Sequence, residues 1–188
     1  MAEIDEWFAE AAGSYVVHAP PTAGTTAFVD HVSGRREDTT LLVAATTGLA
    51  RTPPGALESV ASVVDCSPTE PGGAGIVGSP ADLTGLSIPV SEFLESTEQP
   101  VLAFDSVSTL LYYADEAAVF RFLGVLTDHL RRRDGLGLFV LTPSAHGEQT
   151  VHTFAQVFDG RIDLERDRVR VETTGGADHP DGWQSWSE

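Results

Sequence analysis

The stretch VVHAPPTAGTTAF, residues 16–28, ends an apolar run in a Pro/Gly turn followed by two threonines. Its outline is that of a phosphate-binding loop, G-x-x-x-x-G-K-[ST], in which backbone N–H groups and a helix N-terminus converge on an anion. The match is partial. Ala19 stands at the first glycine, Gly24 at the second, Thr25 at the lysine, and Thr26 at the residue whose hydroxyl would bind Mg²⁺. Thr25 cannot supply the cation that reaches the β- and γ-phosphates, and the chain has no lysine anywhere to replace it. A second stretch, VLAFD, residues 101–105, places four apolar residues before an acid, the pattern of a carboxylate that holds Mg²⁺ through its water shell. The same pattern fits a strand end whose aspartate accepts turn hydrogen bonds. Buried without Mg²⁺, Asp105 would need donors, and Ser106, Thr25 and Thr26 are the candidates. Gly24, Thr25, Thr26 and Asp105 are therefore the expected site, a vestigial nucleotide site.

Other constellations are weaker. Of the six histidines, His146 and His152 flank the start of a predicted helix with Glu148 between them, but no HExxH spacing occurs. Ser144, His146 and Asp105 offer the residue types of a hydrolase triad without a G-x-S-x-G elbow. Arg131, Arg132 and Arg133 are either an arginine finger toward a neighbouring subunit or helix-end cations, and the helix end is favoured. The single cysteine, Cys66, excludes a disulfide framework and reads as a small buried residue. No catalytic residue and no metal ligand is assigned.

The composition bounds the function classes. The chain has 188 residues, 41% of them hydrophobic, enough for one cored domain. It carries 28 acidic and 11 basic side chains, net −17, and every basic residue is arginine. The acids are scattered, which favours adaptation to high salt over one basic partner. Nucleic acid is not an expected partner, because backbone binding needs a basic face. No run reaches the ~18 apolar residues of a membrane span, and the acidic N-terminus does not read as a secretory signal. The expected location is cytoplasmic.

Hydrophobic periodicity predicts the elements that must hold these residues. A short helix covers residues 2–12, with Ile4, Trp7, Phe8 and Ala11 on one face. Strands follow at 14–19, 39–46, 62–67, 100–106 and 137–142, and helices at 26–33, 88–97 and 115–133. A further short helix is expected after Pro53–Pro54, and one more over the stretch EQTVHTFAQVFD. The segment 68–85 reads as a loop, and its GGAGIVGSP is not a nucleotide motif, since no strand feeds it. Two short stretches around Asp167 predict an antiparallel hairpin. Strands alternating with helices predict a mostly parallel sheet covered on both faces, with the hairpin at one edge. The domain is expected over 1–174, with 175–188 a polar tail. Trp183 and Trp186 in that tail either fold back over the sheet edge or anchor a partner, and folding back is favoured.

The span 101–165 resembles the second half of a RecA/KaiC-like P-loop ATPase domain, and is similar to the KaiC-like proteins of salt-adapted archaea. FDSVSTLL corresponds to that family's Walker B segment, FVLTPSAHGEQT to its next core strand and loop, and the loop at Ala19 to its Walker A; before residue 101 the likeness is looser. The resemblance implies a three-layer sandwich around a parallel P-loop sheet, with ATP and Mg²⁺ bound between ring subunits. Two departures stand against turnover. The lysine position is Thr25, and the acidic pair that polarises water in active relatives is replaced by VAATTGLA, with Thr46 and Thr47 and no acid before Glu58. Phosphoryl transfer depends on positioning and charge stabilisation. The expectation is a pseudo-ATPase, a KaiC-like regulatory or scaffolding protein acting through protein partners, KaiC-like or signalling, or through a homo-oligomer. It has no resident cofactor. The alternative is a switch that still binds ATP weakly without the lysine.

Overall fold

The computed structural model describes residues 3–36, 39–46, 52–67 and 77–187. The fold is α/β, built on one mixed sheet in the order β3-β2-β4-β5-β1-β6-β7-β8. The parallel part comprises β1 (Gly13–His18), β2 (Thr40–Ala44), β3 (Ser62–Asp65), β4 (Val101–Asp105), β5 (Leu136–Leu141) and β6 (Gly160–Leu164). β7 (Arg168–Thr173) and β8 (Trp183–Ser185) add antiparallel strands at one edge. The central strands are buried along their whole length in β2 and β5, as continuous apolar runs require. Register brings the C-terminal ends level: His18 lies opposite Leu141, and Ala44 opposite Asp105.

Alternate strand residues feed separate core clusters, because successive side chains point to opposite faces. One cluster joins Val16, Leu102, Phe104, Phe139 and Leu141 to Leu86, Val90 and Leu94 of α3 (Leu83–Ser96), Leu110 of α4 (Val107–Tyr113), the Val119–Leu130 stripe of α5 (Glu116–Arg132), and Phe154 of α6 (Glu148–Ala155). A second joins Tyr15, Val17, Leu138, Val140 and Ile162 to Ile4 and Phe8 of α1 (Glu3–Glu10) and Phe28 and Val32 of α2 (Thr25–Ser33), and a smaller third joins Val29 of α2 to Leu42, Ala44 and Ala103. Each such side chain, fully buried, contributes about 1.5–3 kcal/mol. Local signals agree with the helices. Asp115 caps α5 by accepting from Ala118 N at 3.1 Å, with Glu116 in its first turn and Arg131 and Arg132 in its last.

Several elements differ from expectation. Residues 54–59 form turns rather than a helix. Gly55 sits at φ 82, a left-handed conformation that interrupts a helical run. α3 begins at Leu83, earlier than 88, because Asp82 caps it through Gly85 N at 2.8 Å and the helix then carries Pro89 inside it. α4 follows Asp105 directly, a helix the periodicity did not mark. Within the stretch read as a polar tail, Trp183–Ser185 pairs with β7, and Trp186 packs its ring 5.4 Å from that of Phe28. Thr47 and most of the GGAGIVGSP stretch lie outside the described residues. Among the described residues, no helix is long and apolar enough to cross a membrane.

Candidate functional site

The loop after β1 runs into α2, whose first residue is Thr25. Gly24, at the N-cap, adopts φ 77, a left-handed turn open to glycine at little cost. No side chain caps the helix. Among the described residues, the N–H groups of Thr25, Thr26 and Ala27 have no backbone acceptor, as a helix start leaves them. Pro20 and Pro21 carry no N–H, and Ala23 spends its own on the Pro20 carbonyl at 3.0 Å. The loop therefore presents fewer donors than a full phosphate cradle.

Asp105 ends β4 beside this loop. Thr25 Oγ1 donates to Asp105 Oδ2 at 3.1 Å. The Asp105 carbonyl accepts from Ala45 N at 2.6 Å and Thr46 N at 3.2 Å, which ties β2 to β4 at the level of the site. Burial pushes the Asp105 carboxyl above its ordinary value, and the Thr25 hydrogen bond draws it only part of the way back. Ser106 does not serve Asp105. Its hydroxyl caps α4, accepting from Thr109 N at 3.3 Å, and receives the Thr46 hydroxyl at 3.2 Å. Thr46 and Thr109 lie 2.9 Å apart, which closes a triangle of hydroxyls.

These groups line a cleft of about 590 Å³ at the C-terminal ends of β1, β4 and β5, where open α/β sheets hold ligands. Gly24, Thr25, Thr26 and Asp105 all border it. The structure thus brings the four expected residues together. It adds Ser108, Thr109, Tyr112 and Tyr113 from α4, and Thr142 from the end of β5. Spacing held a signal for the α4 residues: once a helix follows Asp105, Thr109 and Tyr113 stand four apart on one face, and Ser108 and Tyr112 four apart beside them. Among the described residues, no arginine or histidine lines the cleft.

The remaining candidates go elsewhere. His146 Nε2 lies 2.8 Å from Ser108 Oγ, not on Ser144, and Ser108 also accepts from Thr142 N at 2.9 Å. Burial lowers the His146 pKa, with Glu116 pulling the other way. Among the described residues, no group of three or more His, Cys, Asp or Glu could hold a metal. Arg131 pairs with Asp128 at 2.8 Å and Asp159 at 3.3 Å, and Arg133 donates to the Glu95 carbonyl at 2.5 Å. Asp159 binds Ser14 N at the start of β1, so Arg131 lies at the end of the sheet away from the cleft. Cys66 is buried, and burial with the neighbouring Asp65 pushes its thiol up to about 12.

No curated protein matches the chain. One family model does, over residues 13–164, the span that carries β1 to β6 and the whole cleft. The chain belongs to that family of unknown function, DUF7504.

Proposed function

We propose that the chain is a three-layer, RecA/KaiC-like P-loop domain that no longer hydrolyses nucleotide and acts as a regulatory or scaffolding protein through protein partners. The observation that carries this reading is the Thr25–Asp105 hydrogen bond. Thr25 occupies the place of the lysine that would reach the phosphates, and Asp105 the place of the acid that would hold Mg²⁺. Here the two satisfy each other, in a cleft whose described residues include no cation. The position of the loop after β1, of Asp105 at the end of β4, and of helices contributing to core clusters on both strand faces supports the fold reading. An acidic surface and an all-arginine basic set support a salt-adapted, cytoplasmic setting.

The free N–H groups at the start of α2 favour a second reading, a switch that still accepts ATP weakly. Calorimetric titration with ATP and Mg²⁺ at high salt separates the two. The first reading expects no submillimolar binding and no phosphate release. It also expects Thr25→Lys to raise ATP affinity, because a cation re-enters the loop. Submillimolar wild-type binding that is lost in Thr26→Ala and Asp105→Asn overturns it in favour of the switch.

A further inference from the structure

The groups that line the cleft suit a neutral ligand better than an anion. Asp105 stands at its edge with Oδ2 engaged by Thr25 and, among the described residues, no partner for Oδ1. The half-buried Asp105 carboxylate repels phosphate, and Pro20 and Pro21 withdraw two backbone donors from the loop beside it. What remains is a set of hydroxyls, each able to donate and accept, together with the open N–H groups of α2.

The second observation is aromatic. Tyr112 is 83% exposed and Tyr113 44%, although both belong to a helix whose Val107 and Leu110 are buried. Their rings meet edge to face at 5.2 Å and border the cleft. Neither ring is spent on the core, and the more exposed Tyr112 offers the flat face of its own ring at the mouth. A volume of about 590 Å³ suits a small organic ligand. Base–aromatic stacking tolerates any base, and a carboxylate at a strand end recognises a ribose diol.

We propose that this cleft binds a neutral nucleoside, its base stacked on Tyr112 and its ribose hydroxyls shared between Asp105 Oδ1 and the threonines of the loop. The proposal goes beyond the non-hydrolysing reading and uses no phosphate contact. The test titrates the full chain at high salt with adenosine, with methyl glucoside and with ATP–Mg²⁺, followed by calorimetry and saturation-transfer NMR. Adenosine is expected to bind and methyl glucoside and ATP–Mg²⁺ to bind more weakly. Tyr112→Ala, at an exposed position where the melting temperature is expected to stay unchanged, is expected to weaken adenosine about tenfold. Asp105→Asn is expected to weaken it severalfold, with saturation transfer lost first at the ribose protons. No adenosine binding, equal binding of methyl glucoside, or adenosine binding indifferent to Tyr112→Ala overturns the proposal and leaves the non-hydrolysing reading standing. ATP–Mg²⁺ binding at submillimolar concentration and tighter than adenosine overturns both.

Discussion

Asp105 ionises against its surroundings, and that gives the site a thermodynamic signature. Burial raises its pKa above the ordinary value of 3.8. Between the unfolded and the raised folded value the native state binds more protons than the unfolded one, so stability falls as pH rises through that window. The cost is fully present above the folded value and absent below the unfolded one. Asp105→Asn keeps an oxygen for the Thr25 hydroxyl and removes the charge. The variant is expected to melt a few degrees above wild type at neutral pH and to show a flatter melting profile from pH 4 upward. A wild-type-like slope in the variant would locate the pH dependence elsewhere. Much of this was legible in the sequence: VLAFD marked a buried strand ending in an acid, and Thr25 was among its candidate donors. Ser106 was a candidate donor too, and its actual role was not legible, because the choice between Asp105 and the α4 cap depends on a helix that periodicity did not reveal. Tyr112 and Tyr113 were missed for the same reason.

Elements at the two chain ends hold each other. Trp186 is 7% exposed and meets Phe28 and His31 of α2, with ring centroids 5.4 Å away in both cases. His31 Nε2 lies 2.8 Å from Asp5 Oδ1 on α1, and Arg35 reaches Asp5 Oδ2 at 3.1 Å. Burial alone would raise the Asp5 pKa, but the hydrogen bonds from Arg35 and His31 outweigh it and hold the carboxyl below its ordinary value. Its contribution is therefore present above that ordinary value and lost as pH falls through the depressed one. Trp186→Ala is expected to cost about 3 kcal/mol, through lost burial and the cavity left against Phe28, read as a shift in the urea midpoint at unchanged slope. A loss under about 0.5 kcal/mol, the range of ordinary surface changes, would mean that the strand does not hold Trp186 in solution. Such long-range pairing is what the sequence hid. β8 is three residues in a polar, glycine-rich stretch, and only the tryptophans hinted at folding back. The parallel strands were readable because burial on both faces writes a continuous apolar run. The start of α3 was not, since Gly85 and Pro89 look like breakers until the Asp82 cap is seen.

At the scale of the whole molecule, charge decides. The described ion pairs draw heavily on β6 and β7: Arg161 and Arg170 both reach Asp163, at 3.2 and 2.7 Å, and both reach Glu172, at 2.8 and 3.5 Å. With 28 acids and 11 arginines, carboxylates outnumber cations by 17. Surface pairs of this kind contribute little and are weakened by salt, whereas the net −17 repels itself across the whole surface. Salt therefore weakens the pairs and relieves the repulsion, and with pairs worth little the relief is expected to outweigh the weakening. Screening shortens from about 10 Å at 0.1 M to about 3 Å at 1 M, so most of the gain should come below molar salt. The melting temperature is expected to climb steeply with KCl over that range and then more gradually. Sorbitol at matched osmolality, which does not screen charge, should reproduce only the gradual part. A melting temperature insensitive to KCl, or a sorbitol curve that follows it throughout, would show that the acidic surface is not what limits stability at low salt. It would also remove salt adaptation as the account of a chain without a single lysine.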